Sequence, residues 1–225
     1  MSKIGIIIVA AGSGTRMNSV IPKQFMMLAG APVLVHTVRK FFSAYPLADV
    51  AVVIGRDYAD YWRRLSAEYG LPPHKTVSGG TTRYDSVTCG LAALDDDCSV
   101  IAVHDGARPL VSEELIRRVC EEARKTGAAV PAVGVVDSYR SVAGGVSHTV
   151  ERSSLRIVQT PQAFGAGLLR RAYESTSARQ NFTDDASVVE AIGGKITLVE
   201  GERQNIKLTG VVDMAIARAL MEERL

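Results

Sequence analysis

Residues 6–9, Ile-Ile-Ile-Val, are consecutively apolar, whereas a strand with one wet face would alternate apolar and polar side chains. Such a run is typical of a central parallel strand that is covered on both faces. Similar β-rich runs alternate along the chain with segments of helical periodicity. Strands are predicted at 50–54, 100–104, 129–136 and 196–200, and helices near 33–43, 58–69, 83–94 and 113–125. The alternation predicts an α/β fold with one Rossmann-like, doubly wound and mainly parallel sheet.

Capping signals mark some of the predicted helix ends. Ser112 fits an N-cap because acidic residues follow it at 113 and 114, and Gly127 suits the stop of the same helix. The acids Asp184 and Asp185 come directly after Thr183, where they would open a helix and favour its dipole. The last stretch, 213–225, has apolar positions at helical spacing and is predicted to pack back on the sheet.

One segment, at about 137–151, breaks the alternation of strands and helices. A glycine pair at 144–145 is followed by alternating Val146, His148 and Val150, a pattern typical of a β-hairpin that stands out from the core. A protruding, half-apolar hairpin needs something to cover it. A disordered surface loop is the alternative interpretation.

Composition narrows the class of protein. A chain of 225 residues with 47% hydrophobic content suits a single domain, 1–225, with a sizeable core. Its 26 basic and 24 acidic residues leave a net charge of +2, too weak to favour nucleic acid or a membrane surface as a partner. Cys89, Cys98 and Cys120 show no paired spacing, which favours reduced thiols in a cytoplasmic protein over disulfides or a zinc site.

The first predicted strand ends in a glycine loop at 10–14, which is followed by Arg16 and Lys23. A loop at the carboxyl end of a parallel strand lies where α/β sheets bind ligands. Glycines let backbone N–H groups approach an anion closely, and the two cations can reach the same group. The P-loop is excluded because no Lys follows a glycine at its spacing, and the dinucleotide fingerprint is excluded by Met17. The loop is therefore predicted to bind a polyphosphate.

Several strings of residues resemble one enzyme family. They are AAGSGTRM at 10–17, PKQF at 22–25, GGTTRYDSV at 79–87, VHDGARP at 103–109, RSSLRIVQTPQAF at 152–164, FTDDAS at 182–187 and NIKLT at 205–209. In this order they are similar to the motifs of the 2-C-methyl-D-erythritol 4-phosphate cytidylyltransferases of isoprenoid precursor synthesis. The resemblance implies transfer of CMP from CTP to that alditol phosphate, with release of pyrophosphate. Two departures stand out: Ser138 is often Thr in the family, and Gln204 is often acidic, which puts a second metal carboxylate in doubt.

The chemistry of such a transfer defines what the chain must supply. A phosphate monoester has its second pKa near 6, so the nucleophile is already mostly dianionic and needs no general base. The barrier is the repulsion between two anions, which positioned cations lower. Arg16 and Lys23 match the family's catalytic residues. Asp105 ends a predicted strand at the ligand edge, where a hard carboxylate beside a polyphosphate suits Mg²⁺ or another divalent cation.

The resemblance also implies two sets of binding residues and a partner. The nucleotide set is Ala10, Ala11, Gly12, Ser13, Gly14, Gly79, Gly80, Ser86, Asp105 and Gly106. The acceptor set is Arg152, Lys207, Ser138, Arg108, Thr160 and Thr183. The arm at 137–151 is expected to clasp a second subunit in a homodimer, so that Arg152 reaches the partner's acceptor site.

Two other functions remain open, and a third interpretation is set aside. Ribitol 5-phosphate cytidylyltransferases share the glycine loop and the PKQ segment, so the acceptor could be another alditol phosphate. A non-catalytic nucleotide-binding protein of the same fold is a more remote alternative, against which the intact set of charged residues argues. Finally, the acids 95–97 resemble the Asp-x-Asp metal motif of glycosyltransferases, but they precede their strand and so are predicted at the opposite sheet edge, as a solvated turn.

Overall fold

A computed structural model describes residues 3–12 and 21–222 of the chain. In chain order the strands are β1 (Lys3–Ala10), β2 (Met27–Leu28), β3 (Ala31–Pro32), β4 (Asp49–Ile54), β5 (Lys75–Ser78), β6 (Cys98–Asp105), β7 (Ala128–Gly134), β8 (Tyr139–Ala143), β9 (Val146–Val150), β10 (Arg156–Val158), β11 (Gln162–Gly165) and β12 (Thr197–Glu200). The α-helices are α1 (Val33–Ala44), α2 (Ala59–Glu68), α3 (Arg83–Ala93), α4 (Glu113–Thr126), α5 (Ala166–Ser175), α6 (Asp185–Glu190) and α7 (Val211–Glu222). Single-turn 3₁₀ helices include Lys23–Phe25 and Arg152–Ser154.

The main sheet runs in the order β10–β7–β11–β6–β1–β4–β5, with β12 pairing parallel to β7. Strand β1 pairs parallel with both β4 and β6, and β4 pairs parallel with β5. Strands β10 and β11 run antiparallel to their neighbours. The fold is thus the α/β sheet of mainly parallel strands that the sequence predicts, with a short antiparallel insertion.

The unbroken apolar run in β1 reflects helices on both faces of the sheet. Ile6 and Ile8 pack in a core cluster with residues of α1, α2 and α4. Ile7 points the other way, into a cluster formed with α3, α5 and α6. All three isoleucines are fully buried, and burial of such a side chain contributes about 1.5–3 kcal/mol. A polar residue at any of these positions would lie in an apolar layer.

The predicted boundaries of α4 are confirmed. The Ser112 hydroxyl accepts a hydrogen bond from the backbone N–H of Leu115, and Glu113 and Glu114 lie in the first turn. Gly127 ends the helix with φ of +91°, a left-handed conformation that favours glycine. Helix α6 is confirmed as well, with Asp184 as its N-cap.

Several elements were not predicted from the sequence, namely β2, β3, β5, β10, β11 and α5. Strands β5, β10 and β11 have only three or four residues each, too few to establish a period. Strand β7 ends at Gly134, two residues earlier than predicted. Segments this short depend on neighbouring strands for their hydrogen bonds, so their own sequence carries little signal.

The arm is a β-hairpin, as predicted. Strands β8 and β9 pair from Tyr139 with Val150 to Ala143 with Val146, and Gly144 and Gly145 make the turn with positive φ. Val142 and Val146 are largely exposed on it. The hairpin thus presents apolar side chains to its surroundings instead of to the core.

The acids at 95–97 lie where the sequence places them, at the amino end of β6 and opposite the end that carries Asp105. Asp95 forms ion pairs with Lys3 and Lys75, which lower its pKa to about 2.

Cys98 and Cys120 are buried free thiols, and burial raises the pKa of Cys120 to about 12. Across residues 3–12 and 21–222, no helix is both long and apolar enough to cross a bilayer.

Candidate active site

A cavity of about 370 Å³ opens at the carboxyl edge of the sheet, where β1 and β6 end. We call it the first cavity. It is lined by Val9, Ala10, Ala11, Gly12, Lys23, Gln24, Gly80, Thr81, Thr82, Arg83, Ser86, Asp105, Ala107, Lys207 and Thr209. Six of the ten predicted nucleotide-binding residues therefore lie together, whereas Ser13, Gly14 and the predicted catalytic residue Arg16 lie outside the described residues. Lys23, the predicted catalytic lysine, is on the same wall.

Gln24 holds the beginning of the glycine loop. Its buried side-chain amide donates hydrogen bonds to the carbonyl oxygens of Ala10, at 2.8 Å, and Gly12, at 3.1 Å. The neighbouring Phe25 ring packs on Tyr58 and Tyr61. The PKQF motif therefore joins the segment that carries Lys23 to the loop that follows β1. No local pattern predicts this role of Gln24, and only its place inside the motif indicates it.

Gly79 and Gly106 contribute to the site through the absence of a side chain. A Cβ atom on Gly79 would lie 2.5 Å from the Ala11 Cβ and 2.9 Å from the Ser86 Oγ. One on Gly106 would lie 3.0 Å from the Ala10 Cβ, and the Gly106 N–H donates to the Val9 carbonyl at 2.9 Å. Both glycines let neighbouring loops close tightly behind the wall of the first cavity.

The substitution Gly79→Ala is expected to raise the KM for the nucleotide at least about tenfold, because the added methyl must displace Ala11 or Ser86 from the cavity wall. Steady-state kinetics with varied nucleotide would measure this. Gly167→Ala is the matched control, since its Cβ would meet only the end of the Arg171 side chain, at 3.4 Å. Equal KM values in the two variants would contradict the assignment of Gly79.

Asp105 lies at the centre of a cationic cluster. Its carboxylate is 2.9 Å from Lys207 Nζ, 3.4 Å from Arg108 Nε and 3.5 Å from Arg83 Nε. Burial alone would raise the pKa of Asp105, but Arg83, Lys207 and Arg108 hold that pKa far below the ordinary carboxyl range. The carboxyl group is therefore ionised at every physiological pH.

His104 is a neutral structural residue. Burial lowers its pKa to about 3, and its ring lies 4.8 Å from that of Phe41. The Asp105 N–H donates to Thr160 Oγ1 at 3.1 Å, Oγ1 bonds His104 Nδ1 at 3.0 Å, and Nε2 bonds the Arg108 carbonyl at 3.2 Å. The chain of bonds requires the proton on Nε2. His104 thus orients the strand end that bears Asp105.

A second cavity, of about 390 Å³, adjoins the first. It is lined by Arg83, Asp105, Arg108, Arg156, Val158, Gln159, Thr160, Gln162, Thr183, Asp184 and Lys207. Four of the predicted acceptor residues are among them, although the Thr160 hydroxyl is engaged by His104 and Asp105. Arg83, Asp105 and Lys207 line both cavities and so form their common wall.

Two predicted acceptor residues, Arg152 and Ser138, are not in these cavities. Arg152 donates from Nη1 to the Val136 carbonyl at 2.7 Å and lines a surface pocket with Arg156 and Arg203. Ser138 is exposed at the base of the arm. Within a single chain these two residues do not meet the rest of the acceptor set.

The structure adds a residue that the sequence analysis did not select, Arg83. Its guanidinium forms a bidentate ion pair with Asp185, at 2.9 and 2.7 Å. Asp185 lies in the first turn of α6, as the sequence predicts, and it is in addition fully buried and paired with Arg83. Arg83 lay inside the GGTTRYDSV string, where no local pattern distinguishes a buried arginine from a solvated one.

The residues present fit a Mg²⁺ ion held by one carboxylate. Asp105 offers a hard oxygen on the common wall, and Mg²⁺ is typically bound by one or two carboxylates together with phosphate oxygens and water. In the part of the chain that the structure describes, no group of three or more His, Cys, Asp or Glu residues could form an all-protein cage. Any ion here would depend on oxygens of the ligand.

Comparisons with known proteins agree with the geometry. The family model of 2-C-methyl-D-erythritol 4-phosphate cytidylyltransferase matches residues 4–223. The enzyme of that name from Azobacteroides pseudotrichonymphae is 43% identical over 221 residues, covering 96% of this chain and 98% of the relative, and the one from Bacteroides fragilis is 44% identical over 216 residues with the same coverage.

Solved structures agree as well. The 4-diphosphocytidyl-2C-methyl-D-erythritol synthase of Anaerococcus prevotii superposes with a TM-score of 0.84 at 30% identity, covering 98% of this chain and 99% of its own. For the 2-C-methyl-D-erythritol 4-phosphate cytidylyltransferase of Thermus thermophilus the TM-score is 0.78 at 34% identity, with the same coverage. The similarity therefore extends over nearly the whole chain.

Proposed function

The chain belongs to the 2-C-methyl-D-erythritol 4-phosphate cytidylyltransferase family, and we propose that its two adjoining cavities hold the two substrates of that family's reaction. The protein transfers CMP from CTP to 2-C-methyl-D-erythritol 4-phosphate, giving 4-diphosphocytidyl-2-C-methyl-D-erythritol and pyrophosphate, in the non-mevalonate route to isoprenoid precursors. CTP occupies the first cavity and the alditol phosphate the second. The common wall of Arg83, Asp105 and Lys207 carries this assignment, because it brings two phosphates together beside one carboxylate and two cations.

The transfer forms one bond and breaks another at the α-phosphorus of CTP. An oxygen of the acceptor phosphate attacks this phosphorus, and the bond to the β-phosphate oxygen breaks, so that pyrophosphate leaves. The attacking phosphate is mostly dianionic at neutral pH, so no side chain has to remove a proton. The buried, neutral His104 is consistent with a site without a general base.

Positioned cations lower the repulsion between the two substrates. Lys23 lies on the wall of the first cavity, where it stabilises the charge that grows on the α-phosphate and the leaving pyrophosphate, and Arg16 shares that role. Lys207 and Arg108 line the second cavity and bind the acceptor phosphate. Asp105 would hold Mg²⁺, which when bound neutralises triphosphate charge that the side chains leave unbalanced.

Asp105→Asn is expected to raise the Mg²⁺ concentration for half-maximal rate at least about tenfold, since the amide keeps the shape of the carboxyl but not its charge. Excess EDTA should abolish turnover of the wild-type protein. A magnesium titration of the initial rate would measure both effects. Asp97→Asn is the control, because Asp97 lies at the opposite edge of the sheet. An unchanged magnesium requirement in Asp105→Asn would assign the ion to another group.

The proposed function is tested by measuring pyrophosphate release from CTP with a panel of alditol phosphates. We expect turnover with 2-C-methyl-D-erythritol 4-phosphate and little with ribitol 5-phosphate. A preference for ribitol 5-phosphate would overturn the acceptor assignment while keeping the chemistry. No release with any acceptor, from a folded protein that binds CTP, would favour the non-catalytic alternative.

The active unit is proposed to be a homodimer that is joined through the arm at 137–151. The exposed Val142 and Val146 on the hairpin supply apolar surface for a partner to cover. Arg152, next to the arm, lies outside both cavities of its own chain, so a second chain is needed to bring it to an acceptor phosphate. Each active site would then draw residues from two subunits.

A further inference from the structure

Arg83 lies at the junction of the two cavities, and the carboxylate of Asp185 holds its guanidinium group. Its Nη1 and Nη2 donate to the two carboxylate oxygens of Asp185 at 2.9 and 2.7 Å, while its Nε lies 3.5 Å from Asp105 Oδ1. The side chain is only 25% exposed. A bidentate pair fixes the plane of a guanidinium as well as its position.

Asp185 is itself held in place by several hydrogen bonds. Asp185 is fully buried and accepts a further hydrogen bond from the Tyr173 hydroxyl at 2.7 Å. The backbone N–H groups of Asp185 and Ala186 donate to Gln162 Oε1 at 3.0 and 2.9 Å. The network therefore connects Arg83, on α3, to β11, α5 and α6, which are rigid elements of the sheet and its helical layer.

The other two cations on Asp105 are held differently. Lys207 has a side chain 40% exposed, and Arg108 otherwise donates to the Asn205 carbonyl at 2.7 Å. Within the described residues both pair with Asp105 alone, whereas Arg83 also pairs with a second carboxylate, that of Asp185. An incoming phosphate can therefore draw the half-exposed Lys207 toward itself, whereas Asp185 keeps Arg83 in place and the Asn205 carbonyl holds Arg108, whose side chain is only 12% exposed.

We propose that Arg83 is a positioning residue, which Asp185 clamps so that it keeps the Asp105 carboxylate oriented at the junction of the two cavities while Lys207 turns to the substrate phosphates. The inference rests on the proposed function and extends it, because it assigns the orientation of Asp105 to a residue outside the predicted site. Residues that orient a metal-binding carboxylate typically affect metal affinity or activity about 10–100-fold when they are changed.

Arg83→Lys tests the inference because lysine keeps the charge beside Asp185 but cannot contact Asp105 at the same time. We expect kcat to fall about 10–100-fold with a change in the KM for CTP of less than about threefold. The Mg²⁺ concentration that half-saturates CTP binding, measured by calorimetry, should rise at least about fivefold. Arg170→Lys is the matched control: Arg170 is also 25% exposed, but it bonds backbone carbonyls at the opposite edge of the sheet.

The decisive measurement is a double-mutant cycle with Asp105→Asn. If Arg83 acts through Asp105, the double variant Arg83→Lys/Asp105→Asn should turn over within about twofold of Asp105→Asn alone. If the losses of turnover in the two single variants multiply in the double variant, Arg83 acts independently of Asp105, and the inference is overturned. An unchanged magnesium requirement in Arg83→Lys would also overturn it.

A second variant tests the inference if Arg83→Lys does not fold. Removing one partner of a buried ion pair can destabilise the whole protein strongly. Tyr173→Phe removes one donor from Asp185 and leaves the pair intact, so it should raise the half-saturating Mg²⁺ concentration about two- to fivefold. An unchanged value in folded Tyr173→Phe would overturn the inference. The magnesium dependence of CTP binding is measured without an acceptor. A failure of the proposed acceptor reaction would appear in the turnover of the wild-type protein, so the two failures are distinguishable.

Discussion

Replacing Lys23 with alanine is expected to lower turnover at least about a hundredfold. The Lys23 side chain lines the first cavity, where it would stabilise charge that appears only as the α-phosphate is attacked. A hundredfold loss corresponds to about 2.7 kcal/mol of transition-state stabilisation. The fold should persist, because the Gln24 amide and the Phe25 ring hold this turn through contacts that do not use the Lys23 side chain. Pyrophosphate release and a thermal melt would measure the two effects.

The matched control is Lys195→Ala, which removes an exposed lysine from the loop before β12. Its turnover should equal that of the wild-type protein. Arg16→Ala is expected to behave like Lys23→Ala, although Arg16 lies outside the described residues. Near wild-type activity in purified Lys23→Ala would contradict the catalytic assignment of this lysine.

Mixing Lys23→Ala chains with Arg152→Ala chains is expected to restore about a quarter of wild-type activity from two nearly inactive parents. In the proposed dimer, one site of the mixed species inherits both lesions, and the other combines an intact Lys23 with an intact Arg152 from its partner. Random exchange puts about half of the dimers in the mixed form, each with one good site of two. Turnover after subunit exchange, followed over time, would measure the recovery.

A mixture of Lys23→Ala with Lys207→Ala chains provides the negative control. Both residues line the first cavity of one chain, so every mixed dimer would carry one lesion in each site and no activity should return. If exchange is demonstrated and the Lys23→Ala and Arg152→Ala mixture also stays inactive, then Arg152 acts within its own chain. The shared-site proposal would then be wrong, while the assignment of Lys23 would stand.

Much of the fold follows from local patterns in the sequence. The unbroken run at 6–9 predicts a strand buried on both faces, and the clusters around Ile6 and Ile7 confirm it. Ser112 and Gly127 predict the ends of α4, because capping depends on side chains and backbone angles within a few residues. The glycine pair at 144–145 predicts the turn of the arm for the same reason. Such signals need no information about distant parts of the chain.

The sequence by itself also determined the family, since motifs in a fixed order do not depend on geometry. Only the tertiary structure decided how the charges are arranged. Arg83 and Asp185 are 102 positions apart, and Lys207 meets Asp105 across a similar separation. A contact between distant positions leaves no periodicity and no cap in the sequence, so a buried ion pair looks like two solvated charges. Burial and the meeting of strand ends at one sheet edge give these residues their roles.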